Sequence, residues 1–339
     1  MKTNIMKSIF NRKTLLARTN GVLIAAIIIV AVFSISNRYF LTVLNFFGLL
    51  RLMSTIAIVA LGQLLVIVSG ELDLSVGSIY GLGAMSMGIL WVNGVPLYLA
   101  LPTALLMGVT SGVITAWLVT SIRIPSFVVT LGMLNVLRGI ALLISNSKTI
   151  SPVYVLGEKA TEMELKLFNN FGGLELPFGI PMQLLWMIGI ATLVWFLYNK
   201  FIFGFRLRAI GGNLEAAKLM HLPVTKYKYL AFMICGLFAS LAGILDFSFI
   251  GTADPGGGAN ITFAQFAVVI IGGASLSGGR GSVRGTLIAA FLLTVLSNGL
   301  SLLGVGSFAQ LIFLGVVTIG AVALDAIATS KGSTLEYRV

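Results

Sequence analysis

The chain is poor in charge. Of its 339 residues only 10% are Asp, Glu, Lys or Arg, where a soluble globular protein carries about a quarter, and a water-facing surface is not built from so few. Histidine occurs once, as His221. That excludes an HExxH zinc motif and a conventional triad of nucleophile, histidine and carboxylate. Cysteine also occurs once, as Cys235 within an apolar run, so no disulfide closes inside the chain and no thiolate cluster holds a metal. Its simplest role is a small buried side chain. The dipeptide Gly-Lys never occurs, which rules out the GxxxxGK[ST] loop that cradles nucleotide phosphates. Catalysis by this chain alone is therefore not expected, and neither is a resident cofactor or metal.

What the sequence has instead is apolar length. Hydrophobic residues make up 58% of the chain and the mean hydropathy is +1.03. Several runs approach the ~20 residues with which a helix crosses about 30 Å of hydrocarbon, and none shows the alternation of an outer-membrane barrel strand. The fold class expected is all-α: a polytopic membrane protein of about ten transmembrane helices. These fall at 21–36, 45–68, 75–92, 97–120, 126–145, 183–203, 229–249, 262–276, 286–303 and 307–328. The segments at 75–92 and 262–276 are short and glycine-rich, as for helices that break or re-enter where they line protein interior. The 39 glycines suit close approach of helix backbones, the usual device where lipid removes any hydrophobic drive between helices.

The net charge of +11 does not point to nucleic acid, because most of the 22 cations lie in short connections between apolar runs. With the N-terminus in the cytoplasm, the inside segments are 1–20, 69–74, 121–125, 204–228, 277–285 and the residues after 328. These hold most of the cations, whereas the outside segments hold Arg38, Lys148, Lys159 and Lys166. The positive-inside rule then predicts an even number of spans with both termini cytoplasmic. The organisation expected is a cytoplasmic basic tail (1–20), a transmembrane body (21–328) and a cytoplasmic tail (329–339). Within the body, 146–182 is an external loop and 204–228 a cytoplasmic one. The basic start and the apolar run Gly21–Ile35 resemble a signal peptide, with Ser34 and Ser36 near a cleavage position. An uncleaved first span is preferred, since the rest of the chain is itself polytopic. The external loop, mixed in charge at "GEKATEMELK", suits either a surface that meets an extracytoplasmic partner or a solvated cap over the helices.

One stretch departs from its surroundings: "GGNLEAAKLMHLPVTKYK", Gly211–Lys228. Asn213 can cap a helix there, Glu215 suits its positive first turn, and Pro223 stops it after about two and a half turns. Ala216, Leu219, Met220 and Pro223 form an apolar stripe, with Glu215 and Lys218 on another face. Two readings stand. Amid Arg206, Arg208, Lys226 and Lys228 the helix either lies on an anionic membrane surface or docks as a knob in the groove of a soluble partner.

Within this stretch, "RAIGGNLEAAKL" (Arg208–Leu219) resembles the cytoplasmic coupling segment of permease subunits of bacterial ATP-binding-cassette sugar importers, the ribose, xylose and galactose group. "GELDLSVGSIYGLGAM" (Gly70–Met85) and "IPSFVVTLGMLNVLRGIALLIS" (Ile124–Ser145) resemble further landmarks of that family. So do "VVIIGGASLSGGRGSVRGTLIAA" (Val268–Ala290) and "LSNGLSLLGV" (Leu296–Val305), all in the family's order. The resemblance implies a fold similar to the cobalamin-importer type of permease. It also implies a second permease copy or paralogue, a cytoplasmic ATPase dimer that binds the ATP, and a periplasmic or lipid-anchored substrate-binding protein, in the bacterial inner membrane. Gly212, Asn213, Glu215, Ala216, Ala217, Lys218 and Leu219 would then carry the coupling to the ATPase. The chain departs from the family at Met220-His221, where a Ser-Gly pair is usual. It departs again after Pro255, where Asn260, Thr262 and Gln265 replace an acidic run. His221 is expected to be a surface residue of the docking helix.

Polar residues within or beside the spans complete the candidates, because such groups are costly in a bilayer. Glu71, Asp73 and Ser75 stand where the second span gives way to the third. The acids either order that break by accepting backbone N–H groups, pair with a basic loop, or approach the substrate path. Asp246 is expected to pair with Arg138 or Arg51. Asn135, Asn298, Gln63, Gln265 and Gln310 either bond helices together or present amides to a sugar.

Overall fold

The computed structural model describes residues 21–156 and 160–334. The basic tail 1–20 and the final residues 335–339 lie outside the described residues. Six helices are long and apolar enough to cross a membrane: α2 (Val43–Val68), α4 (Leu97–Thr120), α5 (Ser126–Ile144), α8 (Met182–Asn199), α11 (Val224–Ile250) and α13 (Val283–Leu302). Shorter apolar helices are α1 (Gly21–Ser36), α3 (Val76–Val92), α12 (Ala259–Ile271) and Ser307–Gly320, the first part of α14 (Ser307–Thr334). Each apolar run of the sequence overlaps one of these helices. The described sheet is a single hairpin, β1 (Glu175–Leu176) with β2 (Ile180–Pro181).

Local signals explain the boundaries. The hydroxyl of Ser282 caps α13 by accepting the Gly285 N–H at 3.0 Å, and Pro96, Pro125 and Pro181 open α4, α5 and α8. The centre of the bundle is α2, α3 and α11. In α2 every residue from Ser54 to Val68 is buried, and in α3 every residue from Val76 to Gly88. α4 packs along α11 through glycine: a Cβ on Gly108 would lie 2.4 Å from the Gly236 carbonyl oxygen. By contrast α5 leaves Val128, Leu131, Val136 and Leu143 exposed, a face suited to lipid or to another protein.

The glycine-rich segments differ from expectation. α3 and α12 are short but continuous, and the chain breaks at their ends, over 69–75 and 272–282. The glycines inside α3 mark contacts instead of kinks, for Gly81 abuts the Gly257 carbonyl and Gly83 abuts Ser240.

The described residues of the loop at 146–182 form a cap. It carries α6 (Pro152–Leu156), α7 (Glu162–Phe168), a wide turn over Asn169–Gly173 and the hairpin. The buried Phe168 ring seats between Trp91 and Phe247, with centroids 5.1 and 4.9 Å away. Glu164 closes a capping box with Thr161 and also accepts the Leu97 N–H at 3.0 Å, fastening α7 to the start of α4. That hydrogen bond is the main reason the Glu164 carboxyl lies below its usual value, with burial opposing it.

Candidate functional site at the α9–α10 corner

After α8 the chain turns through α9 (Ile202–Gly212) into α10 (Leu214–Leu219). The extended backbone of Asn213 (φ −156°, ψ 99°) separates the two, and its side chain accepts the Ala216 N–H at 3.0 Å. Lys218 pairs with Glu215 at 3.0 Å on the exposed surface. The helix is shorter than the sequence suggests: six residues, closed at Met220. His221 follows in the left-handed region at φ 55°, so Pro223 opens α11 and does not terminate α10. A left-handed residue just past a helix is ordinarily glycine, which has no Cβ to clash.

The faces of α10 leave the apolar stripe free, as either reading of the stretch requires. Ala217 is buried, and Leu214 and Leu222 pack against the core. The stripe Ala216, Leu219 and Met220 points away from the protein, with Leu219 80% and Met220 75% exposed. Gly212, Asn213, Glu215 and Lys218 are exposed alongside, as is His221.

The corner is joined to the bundle backbone against backbone. The Gly279 N–H donates to the Val68 carbonyl at 2.9 Å. A Cβ on Gly211 would fall 1.9 Å from the Val68 oxygen and 2.7 Å from the Gly279 nitrogen. Gly278, at φ +81°, meets both Gly211 and Gly70. The end of α2, the end of α9 and the α12–α13 turn therefore touch with no side chain between them. Sequence reasoning did not single out Gly70, Gly278 or Gly279; the glycine pair in "SLSGGRGS" was the available signal.

The acids beside this corner divide two of the roles open to them. Glu71 forms an ion pair with Lys228 of α11, both side chains nearly buried at 13% and 10% exposure. Asp73 is fully buried and accepts the Ser75 N–H at 2.8 Å and the Ser75 hydroxyl at 2.6 Å, ordering the entry to α3. Burial pushes its carboxyl above the usual carboxylate value, with the Ser75 bonds opposing. With its amide nitrogen toward the Asp73 carbonyl, Gln63 bonds both backbone groups of Asp73 at 3.2 Å. An open groove of ≈ 1120 Å³ runs between the α4–α5 turn and the α10–α11 turn, edged by Arg123, Lys218, Lys226 and Lys228.

The other candidates lie elsewhere. Asn298 exchanges two hydrogen bonds with Asn45, of 2.8 and 3.0 Å, and ties α13 to α2. Asn135 is exposed on α5 and bonds only its own helix, to the Leu131 carbonyl at 3.3 Å. The ion pair expected for Asp246 does not form: Arg51 bonds Glu175 at 3.1 Å, and Arg138 reaches the Gly256 carbonyl at 3.3 Å. Asp246 accepts hydroxyls instead, from Tyr80 at 2.5 Å and Thr55 at 2.7 Å. Cys235 is buried, as expected. Gln265 bonds back to Thr262, and Gln310 bonds Ser297 and Ser301.

Residues 45–322 match the family model described as branched-chain amino acid transport system / permease component. The chain belongs to this permease family. Among its relatives, the ribose import permease protein RbsC of Escherichia coli (strain K12) is 37% identical over 305 residues, spanning 89% of this chain and 92% of the relative. RbsC of Bacillus subtilis (strain 168) is 36% identical, spanning 90% and 92%. The xylose transport system permease protein XylH of Haemophilus influenzae (strain Rd) is 32% identical, spanning 93% and 98%. No solved structure gives a significant match. The likeness read from the motifs is thus a family relationship that covers most of the permease, and its helices make it a multi-pass membrane protein.

Proposed function

We propose that the permease is the membrane subunit of an ATP-driven importer that moves a monosaccharide or related polyol across the bacterial plasma membrane. One observation carries this reading: α10 presents an outward apolar stripe, Ala216, Leu219 and Met220, on a corner fixed by backbone contact to α2 and to the α12–α13 turn. Such a lever is useful only to a partner that pushes on it. The partner is a cytoplasmic ATPase dimer that binds and hydrolyses the nucleotide, since work done there alters the pore only through contacts that differ between its two states. The relatives named for ribose and xylose favour a sugar cargo over the amino acids in the family description.

The rest of the assembly follows from the faces left open. All ten apolar segments cross, with both termini in the cytoplasm, which places α10 inside and the 146–182 cap outside. The cap, with Met163 and Phe178 exposed, receives a periplasmic or lipid-anchored binding protein. A second copy or paralogue covers the α5 face where Gly132, Asn135 and Gly139 stand open, because an amide facing lipid is costly and glycines admit a close neighbour. Substrate crosses the membrane by alternating access.

The test is uptake of labelled ribose or xylose by vesicles holding the importer. Uptake requires ATP, stops with vanadate and persists without a proton gradient. Glu215→Lys lowers both uptake and substrate-stimulated ATP hydrolysis while the protein stays in the membrane. Unchanged coupling removes α10 from the mechanism. Gradient-driven uptake by the purified chain alone replaces this reading with an ion-coupled transporter.

A further inference from the structure

Toward the end of the bundle away from α10, helices α2, α11, α12, α13 and α14 surround a cavity of ≈ 290 Å³. Small-molecule pockets begin at about 300 Å³. The lining combines Thr55, Asp246, Asn260, Ser297, Ser307 and Gln310 with apolar side chains of α2, α12, α13 and α14, mostly aliphatic.

Asp246 is the unusual member. A carboxylate inside a helical bundle is costly and ordinarily pairs with a cation, yet among the described residues no cation lies within ion-pair distance of it. Arg51, one turn from Thr55 on α2, is held by Glu175 and stacks 3.7 Å over the Phe249 ring. Thr55 bonds one carboxylate oxygen and Tyr80 the other, so each oxygen keeps a free acceptor position. The side chain is not sealed off; Asp246 remains partly exposed, and it lines this cavity. Asn260 is exposed at the same cavity, and no described hydrogen bond engages its amide. Ser297 and Gln310, bonded to each other at 3.1 Å, add a fixed polar pair.

Three occupants can be weighed. A bare cation needs six to eight close oxygens, and the space is far larger than an ion fills. A lipid chain gains nothing from six polar side chains. A sugar presents hydroxyl donors for a carboxylate, hydroxyls of either polarity for an amide, and C–H faces for the aliphatic lining. The positive charge of Arg51 nearby also offsets the carboxylate, which favours a neutral ligand over an amine.

We propose that this cavity is a subsite that reads the hydroxyl pattern of the transported polyol, Asp246 accepting its hydroxyl hydrogens and Asn260 bonding a neighbouring hydroxyl. The proposal rests on the import reading above and adds the residues that set specificity. Tyr80 and Thr55 act as positioning residues, holding the carboxylate toward the cavity.

Because the chain's single cysteine is buried, Ser307→Cys supplies one reachable thiol at an exposed position of the cavity wall that has no part in the proposed hydroxyl contacts. In vesicles holding the complete importer, ribose or xylose is expected to slow maleimide labelling of that thiol about tenfold, and leucine to leave it unchanged. Adding Asp246→Asn is expected to weaken the protection about tenfold, the loss typical of one hydrogen bond to a charged group. Ala264→Leu fills the cavity without removing a polar group, and it is expected to raise KM for uptake far more than it lowers the maximal rate. Equal labelling with and without sugar, in vesicles that import that sugar under ATP, overturns the subsite and leaves the import reading standing. An unchanged KM in Ala264→Leu does the same. Vesicles that import neither sugar under ATP overturn the import reading, and the subsite with it; protection by leucine shows the cavity is not a polyol site.

Discussion

The two ends of the bundle are fastened by different chemistry. At the α10 end, Gly211 lies on the Val68 carbonyl and on Gly279, with backbone atoms meeting directly. At the other end, the 146–182 cap is held by side chains: the Phe168 ring between Trp91 and Phe247, and the Glu164 carboxylate on the Leu97 N–H. A backbone contact has no rotamers with which to absorb a displacement, so movement of α10 passes to α2 and to the α12–α13 turn. A side-chain joint can repack. One end is therefore joined rigidly, as the proposed lever requires, and the other by contacts that can rearrange.

The sharpest way to break this contrast is Gly211→Val. The added atoms meet backbone on both sides, and the expected cost is about 3 kcal/mol, the upper part of the range for overpacking. Thermal unfolding in detergent should show it, together with loss of ATP-stimulated uptake; a wild-type melting curve would mean that the corner is a loose contact. At the cap, Glu164→Gln keeps a side-chain acceptor for the Leu97 N–H and loses only its charge, so it should cost less than about 1 kcal/mol and leave coupling intact. Its pH dependence sharpens the point. Because the Leu97 N–H lowers the folded pKa of Glu164, the stabilisation is full above the unfolded carboxylate value and is lost as pH falls through the folded one. Exchange of the Leu97 amide, corrected for its intrinsic rate, should therefore accelerate in the wild type as pH falls through and below the ordinary carboxylate range, and not in Glu164→Gln. A similarly small effect, of opposite sign, is expected at His221, whose left-handed backbone favours glycine. His221→Gly should stabilise by about 0.5–1 kcal/mol, and a lower melting temperature would show that the imidazole makes a contribution of its own.

Much of the fold was legible because lipid imposes a simple rule: long apolar runs become helices, and cations collect in their connections. The α10 cap at Asn213 and the pairing of Glu215 with Lys218 are local and could be read directly. What stayed hidden depends on partners distant in the chain. Nothing near Gly211 announces Gly279, and nothing near Asp246 announces Tyr80 and Thr55, since a hydroxyl satisfies a carboxylate as a cation would. Helix ends misled for a related reason: Pro223 is a conspicuous stop, but the left-handed turn at His221 closes α10 earlier. The apolar stripe of α10 was found correctly in composition, yet its outward direction is set by Ala217 and Leu222, which a helical wheel of the stretch alone assigns no priority.

The most direct test of α10 as a lever facing a cytoplasmic ATPase is the reactivity of Met220→Cys, which places a thiol at a position 75% exposed while Cys235 stays buried. In intact cells a membrane-impermeant maleimide should leave this thiol unlabelled until the cells are opened, and a short thiol crosslinker should then capture the ATPase. Labelling in intact cells at the rate seen in opened ones would put α10 on the outside, beyond the reach of any nucleotide-driven partner, and would contradict the account.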